Sequence, residues 1–576
     1  MRAVSKIAFD PGQTGHGLSW AYQAGLFAVC LAALMLCCHG LAVAVQHPDQ
    51  MAFHSLFNPG KAPLNPGWFE KPPFHTYCNY FLSVLPVAGI GALLDLPGTT
   101  IASWQELVSK CLQVLMFIGA VLVSHRIVSR VARPPVALLS TALLGTSAGL
   151  VAHAHFLTAD IPVLFWMLAA FLHCQRVFER GRLQDYVIAG LLTGVAAATK
   201  YNGLGVGIAI PAAHFARLAL GRDAGGLLTH AFAPKLVAGV SFVIVGFIVA
   251  NPFAVLDFRS FYGDFTYNAM VAPVYEGQTG HSYLQFFGGL AESLGWPVFV
   301  SALLGAGVAL WTSLHRPDDT ARTATAWMAS AVLLLYYAKF APFPRLETRF
   351  VLPVAPYLLV LATPGFEWAV ARFRVAAVTL AALVLAYNLA CSVEVGDRFQ
   401  SDARIVGTAW LRAGIAPRAG VEADVYTSGL GPQYDCCETS MPFVTGRERL
   451  FRKLFPGNEF INGSPVDQAA ADAPVQWYTP AALRARRPDF IVTNSNYFDR
   501  FLEPGLRRDL YPSMREYFDD LLRGRLGYEV AYDVSTPAAA AWIYPRRIDF
   551  LQNRLVVLRR TPDEPGAAAP VPAMVK

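Results

Sequence analysis

Phe74-His75-Thr76-Tyr77-Cys78-Asn79-Tyr80-Phe81-Leu82-Ser83-Val84-Leu85-Pro86-Val87-Ala88-Gly89-Ile90-Gly91-Ala92-Leu93-Leu94 is the stretch on which the topology of this chain turns. A bilayer crossing needs about 20 predominantly apolar residues, and this stretch is long enough to make one. If it crosses, every later loop changes side. Eleven other apolar runs centre on 24–45, 104–124, 136–152, 160–177, 186–200, 203–220, 235–252, 286–312, 325–340, 350–367 and 374–392. With an N-terminus on the cytoplasmic side and 74–94 not crossing, five basic clusters fall on the cytoplasmic face. They are Arg126/Arg130/Arg133, Arg176/Arg180/Arg182, Arg217/Arg222/Lys235, Arg316/Arg322 and Arg372/Arg374. All five then obey the positive-inside rule, and all five break it if 74–94 crosses. The sequence therefore predicts about eleven spans, with 74–94 an interfacial or re-entrant helix inside a long external loop, 46–103.

The composition agrees with a chain solvated by lipid. Of its 576 residues 54% are hydrophobic and 15% charged, and the mean hydropathy is +0.39. A soluble domain carries about 25% charged residues, so there are too few here to coat a wetted surface. The net charge of +6 sits in short loops between apolar runs. There it orients a membrane protein, and nothing in it points to nucleic acid. The first apolar run, Leu26 to Val45, follows Arg2 and Lys6 and reads as a retained span rather than a cleaved signal. Of the nine cysteines, Cys30, Cys37, Cys38, Cys111, Cys174 and Cys391 lie in or beside apolar runs. In such places a thiol acts as a small hydrophobe, and no Cys/His spacing suggests a structural metal. The adjacent Cys436-Cys437 admits only a strained vicinal disulfide.

The composition changes near Gly396. From there to about Arg560 charge is ordinary, and short apolar runs such as Asp489–Thr493 and Leu555–Leu558 read as strands, with Tyr511–Leu522 a helix. The predicted organisation is a transmembrane domain over 1–395, a soluble extracytoplasmic α/β domain over 396–560, and a disordered Pro/Ala-rich tail over 561–576.

Four external segments carry conspicuous polar groups, and ionisable residues at membrane depth are costly enough to suggest function. They are Gln46-His47-Pro48-Asp49-Gln50, Trp68-Phe69-Glu70-Lys71-Pro72-Pro73, His153-Ala154-His155-Phe156-Leu157-Thr158-Ala159-Asp160, and Thr199-Lys200-Tyr201-Asn202. Singly, each has a bland reading. Asp49 suits a helix end in interfacial water, Glu70-Lys71 a surface turn held extended by two prolines, Asp160 a helix start ahead of Pro162, and Lys200 a snorkelling lysine. Together they gather carboxylates and lysines at one membrane face. Carboxylates can activate a hydroxyl or hold a divalent cation, and Lys or Arg steadies a phosphate.

The ordered set His47-Pro48-Asp49, Glu70-Lys71-Pro72-Pro73, Leu157-Thr158-Ala159-Asp160, Gly190…Thr199-Lys200 and Arg349-Phe350-Val351-Leu352-Pro353 resembles the C-type polytopic membrane glycosyltransferases. The likeness is to bacterial relatives of the protein O-mannosyltransferases and of the lipid A aminoarabinose transferase. Asn251-Pro252-Phe253 through Asp257-Phe258, Gly280-His281, and Pro488 to Val492 with Tyr497–Arg500 look like a sub-group of such relatives. Many relatives carry Asp-Glu after the first span, whereas Gln50 follows Asp49 here.

The resemblance implies a mainly α transmembrane bundle that moves a sugar from a polyprenyl-phosphate donor to a lipid, glycan or protein acceptor at the external face of the plasma membrane. It implies Asp49 and Asp160 as the catalytic carboxylates, Lys71, Lys200 and Arg349 as the donor-phosphate cations, and Glu70 with His281 as ligands of a divalent metal cation. No nucleotide is expected, since no glycine-rich phosphate loop is present. The other classes that fit are a transporter or flippase-like protein, which should carry ionisable groups in mid-span, and a non-catalytic scaffold. A reporter fused after Cys391 is expected to read out as extracytoplasmic; a cytoplasmic signal would reverse the charge-parity argument.

Overall fold

The structure is a computed structural model that describes residues 20–43, 56–57, 61–270, 282–315, 319–343, 346–414, 419–424, 427, 435–438, 460–461, 464–465, 477–503, 512–535, 548, 551 and 554–561. Asp49 with its neighbours, His281, the tail after Thr561 and the side chains of Cys436 and Cys437 lie outside the described residues.

The described membrane part is mainly helical. The helices used below are α1 (Trp20–Cys38), α2 (Phe74–Leu93), α3 (Gly98–Val128), α4 (Pro134–Gly145), α5 (Ala148–His155), α6 (Asp160–Arg180), α7 (Leu183–Thr199), α8 (Pro234–Ala250), α9 (Phe258–Met270), α10 (Thr348–Arg372) and α11 (Arg374–Gln400). Among the described residues, eight helices are long and apolar enough to cross a membrane, and nine if the bent pair α4 and α5, which meet at 49°, make one span. The eleven apolar runs all form helices. The three outside that stricter set are α7, the 3-10 and α pair Tyr201–Ala219, and Thr320–Phe340. Conversely α2 qualifies on length and apolarity, so only the parity of the basic loops keeps it from being counted as a span.

The middle of α2 is a π-helical segment, Tyr80–Val84, directly ahead of Leu85 and Pro86. Proline has no amide to give to the preceding turn, and a wider turn accommodates the lost bond.

Burial sorts the helices. In α6 and α10, 67% and 78% of the apolar window is buried, against 17% in α1. These two form the centre of the bundle, where Ile161, Leu164, Leu168, Phe171 and Phe178 of α6 join Val360 and Tyr357 of α10 in one core. Beside them α7 and α8 lie unusually close and run in the same direction. A Cβ on Gly190 would stand 2.1 Å from the Gly239 carbonyl oxygen, and one on Gly194 would stand 2.3 Å from that of Val243. In lipid, where apolar side chains gain nothing by leaving the solvent, close backbone approach over small residues is what joins helices. The contact fixes the height at which α7 ends and Lys200 begins.

The C-terminal part is an α/β unit. Its five-stranded sheet has the order β2-β1-β5-β7-β6, built from β1 (Gly420–Ala423), β2 (Asp435–Glu438), β5 (Phe490–Asn494), β6 (Tyr528–Ser535) and β7 (Arg554–Arg560). The strands β2, β1 and β5 are parallel, while β7 and β6 are antiparallel. A separate two-stranded ribbon joins β3 (Phe460–Ile461) to β4 (Ser464–Pro465).

Period-two alternation assigns Ile491, Val556 and Leu558 to one face, against Phe498, Phe501, Met514 and Phe518. Val492, Leu555 and Val557 take the other face, against Ala403 and Leu411 of the helix Ala403–Gly414 that continues from α11. Tyr497 is fully buried and donates its hydroxyl to Tyr478 at 2.8 Å. The amphipathic period of Ser495–Leu502 turns it into the core.

Two buried carboxylates brace this unit. Glu422 accepts from Trp477 Nε1 and from two nitrogens of Arg486, whose guanidinium stacks 3.8 Å over the Trp477 ring. Asp424 accepts from the Thr493 hydroxyl, the Asn494 backbone and the Asn494 side chain. Replacing Gly190 by leucine should force α7 and α8 apart and cost about 3 kcal/mol or more of stability. Gly89→Ala, at a position with open space, should be near neutral, and thermal unfolding in detergent compares the two.

Candidate active site

Asp160 opens α6 and is only 2% exposed. A buried carboxylate needs partners, because taking a charge out of water costs several kcal/mol. It has three. Lys200 Nζ pairs with Oδ1, the Thr158 hydroxyl donates to Oδ2 at 2.8 Å, and His153 Nδ1 stands 3.8 Å from Oδ2. The loop that presents Asp160 is pinned in turn by Gln113, a fully buried residue of α3 whose side-chain amide donates to the Thr158 carbonyl at 2.9 Å. The positive end of α6 adds a field that favours the anion.

Lys200 occupies a break in the chain. Its backbone is extended, with φ −156° and ψ 130°, between the end of α7 and the 3-10 helix Tyr201–Ile208. A helical conformation there would have carried the side chain round the helix axis. The extended one directs it across to α6. Lys200 Nζ also lies 5.6 Å from the centroid of the Phe350 ring, and the guanidinium carbon of Arg349 lies 5.6 Å from the same centroid. Two cations thus flank one aromatic ring, a favourable arrangement electrostatically. Arg349 Nε donates to Glu347 at 2.5 Å, and the Thr348 hydroxyl bonds Glu292. The charges of Lys200 and Arg349 both act on Asp160. These residues and His153 belong to α5, α6, α10 and the turn after α7, so one end of the bundle collects them.

Glu70 and Lys71 reach the site through their backbone. The Phe69 carbonyl accepts from the Tyr201 hydroxyl at 2.6 Å, one residue beyond Lys200. The Phe69 amide donates to Asp264 Oδ2 at 2.6 Å, and the Glu70 carbonyl accepts from Asn268 at 2.8 Å. Pro72 and Pro73 are buried behind them. The Lys71 ammonium sits 5.4 Å over the Trp68 ring.

Upstream, Asp257 accepts from Lys61 at 2.9 Å and from Asn65 at 2.9 Å. Partial burial alone would raise the Asp257 carboxyl, but hydrogen bonds from Lys61, Asn65 and Ser260 outweigh it and hold it below the ordinary carboxylate value. A depressed folded value means this clamp contributes stability above the unfolded carboxylate pKa. That contribution is lost as the pH falls through the folded one.

Of the residues read from the sequence, Asp160, Lys200 and Arg349 come together, and Glu70-Lys71 is fastened next to Lys200. Asp49 and His281 are outside the described residues. Among the described residues no group of three or more His, Cys, Asp or Glu side chains could hold a metal ion. Glu70 is the only expected metal ligand described, so these residues do not by themselves compose a metal site. Sequence reasoning missed Gln113, Tyr201, Asp264 and the role of His153. Only His153 and Tyr201 carried a signal, by lying inside the quoted segments.

The fold is that of the C-type membrane glycosyltransferases. The family described as dolichyl-phosphate-mannose-protein mannosyltransferase matches residues 95–249, the segment that holds Gln113, Asp160 and Lys200. Among solved structures, ArnT from Cupriavidus metallidurans bound to undecaprenyl phosphate is similar with a TM-score of 0.51 at 13% identity, over 94% of this chain and 98% of that one. The Archaeoglobus fulgidus oligosaccharyltransferase in the apo form is similar with a TM-score of 0.49 at 12% identity, over 92% and 81%. No curated protein matches the sequence. At such identities the likeness to ArnT establishes the fold, and it bears out the resemblance read from the motifs.

Lys200→Met should destabilise the protein by about 3 kcal/mol, because it leaves the Asp160 carboxylate buried without its cation. Adding Asp160→Asn should recover most of that loss. A thermal-unfolding cycle of the two single variants and the double measures it, and additive losses would mean that the pair is not coupled.

Proposed function

We propose that this protein is a membrane glycosyltransferase that moves one sugar from a polyprenyl-phosphate donor to a lipid, glycan or protein acceptor at the external membrane face. The observation that carries this reading is the meeting of Lys200 and Arg349 around Phe350 beside the buried Asp160, at the end of the bundle to which the Glu70-Lys71 backbone is tied. Support for a lipid-phosphate donor comes from the printed description of the matching family and from the undecaprenyl phosphate bound by the similarly folded ArnT.

The chemistry is a single displacement. An acceptor hydroxyl oxygen attacks the anomeric carbon, a new C–O bond forms, and the bond to the phosphate oxygen breaks with its electron pair leaving on the lipid phosphate. The configuration at that carbon inverts. Asp49 takes the hydroxyl proton or orients the hydroxyl as the catalytic carboxylate. Lys71, Lys200 and Arg349 stabilise the charge that grows on the leaving phosphate, and their value comes from being positioned before the reaction. Asp160 is the second carboxylate of the site; held by Lys200 and Thr158, it sets where the lysine points.

The soluble unit after Gly396 is the part free to meet the acceptor. On this reading the protein lies in the plasma membrane with a cytoplasmic N-terminus and this unit outside.

Asp49→Asn should abolish transfer in lipid nanodiscs supplied with a polyprenyl-phosphate sugar, while the melting temperature stays close to wild type. Wild-type turnover by that variant would remove the assigned role. Mass spectrometry of lipids and envelope glycans from a deletion strain should find a lipid-linked sugar accumulated and one modification missing. An unchanged lipid and glycan profile would overturn the transferase reading.

A further inference from the structure

The stretch Asn251 to Phe258 and the helix α9 that follows it lie beyond the segment matched by the mannosyltransferase family, and the chemistry above gives them no task. Their contacts converge on the backbone of one residue, Phe69. Asp264, on the second turn of α9 and 1% exposed, accepts the Phe69 amide at 2.6 Å, while Tyr201 donates to the carbonyl of that same residue at 2.6 Å. Both faces of Phe69 are thus held, and its side chain is fully buried with its ring edge-on to Phe261 of α9 at 5.9 Å. Phe265 of α9 meets the Tyr201 ring edge-on at 5.2 Å, and Asn268, one turn further, holds the Glu70 carbonyl.

Lys71 follows Phe69 by two residues and Lys200 precedes Tyr201 by one. Lys200 takes its height from the end of α7, whereas the segment that holds Lys71 contains no regular helix, so Lys71 inherits no position from a rigid element of its own.

We propose that Asp264 is a positioning residue for sugar transfer: through the backbone of Phe69, which it holds together with Tyr201, it sets the place of Lys71 relative to Lys200. A carboxylate is the strongest acceptor available for a backbone amide, and an N–H bonded to it is held more firmly than one bonded to a neutral group. Asp257, just ahead of α9, extends the clamp by holding Lys61 and Asn65, so that residues 61, 65, 69 and 70 are all tied to α9 or to the residue before it. Misplacement of a binding group by about 1 Å, from a change remote from the reacting atoms, can cost about 10²-fold in rate.

The inference rests on the transferase reading, and the test separates the two. Hydrogen–deuterium exchange on the full-length protein in nanodiscs needs no substrate. In it Asp264→Ala should speed exchange of the peptide covering residues 64–71, whereas Asp264→Asn, which keeps an acceptor oxygen, should leave that peptide near wild type. Tyr201→Phe, which keeps the ring and removes only the hydroxyl, should give a partial increase and guards against an Asp264→Ala variant that fails to fold.

In transfer assays Asp264→Ala should lose about 10²-fold, with Asp264→Asn restoring most of it. Asp264→Ala combined with Lys71→Ala should be no worse than Lys71→Ala alone. Unchanged exchange in Asp264→Ala and Tyr201→Phe, or losses from Asp264→Ala and Lys71→Ala that multiply, would overturn the positioning role. Absence of transfer by the wild type, with exchange as expected, would instead count against the transferase reading and leave the clamp standing.

Discussion

The ion pair between Asp160 and Lys200 is the constraint around which the rest of the membrane part is arranged. A carboxylate 2% exposed at the head of a central helix is tolerable only with a cation and hydrogen-bond donors in place. Supplying them requires three separate positions to agree. The helix α7 must end level with the start of α6, the loop before α6 must be anchored by Gln113, and the chain after α7 must leave the helical conformation at a single residue. Each condition is met by short-range physics, and the pair is where they meet.

The close contact of α7 with α8 satisfies the first of these conditions. Gly190 and Gly194 press on Gly239 and Val243 with no room for a Cβ, so the two helices cannot slide without a clash. Lys200 follows within two turns of this contact. From there the order passes outward through hydrogen bonds rather than packing: Tyr201 to the Phe69 carbonyl, and the Phe69 amide to Asp264 on α9. A site assembled from loops is thereby given the definition of one built on helices. In a chain whose reaction would depend on charge placement, that definition is what makes the cations effective.

Much of the fold was legible in the sequence, and particular residues show where legibility stopped. Every apolar run became a helix, and the strands near 490 and 556 formed because alternating β-branched residues have few other ways to bury themselves. The two sequence motifs around Asp160 and Lys200 did come together. Asp264 was unreadable, because an acidic residue in a polar stretch looks solvated until the amide it accepts is known. The hydroxyl partner of Tyr497 was unreadable likewise, since only the packing of the helix Ser495–Leu502 turns it inward to Tyr478. The segment 74–94 stayed divided between two arguments, since its length permits a crossing and the charge of the loops opposes one.

By itself the sequence determined that this chain is a bundle of membrane helices with an appended α/β unit, because hydropathy and periodicity are local properties that survive without knowledge of the partners. It also named Asp160, Lys200, Arg349 and the Glu70-Lys71 pair as a group, through their order along the chain. Only the tertiary structure decided which of them touch, that Lys200 and Arg349 share the Phe350 ring, and that the Phe69 backbone is held at both its amide and its carbonyl. Those facts depend on distances between residues as far apart as 200 positions. Helix crossing heights and loop conformations set such distances, and no local pattern encodes them.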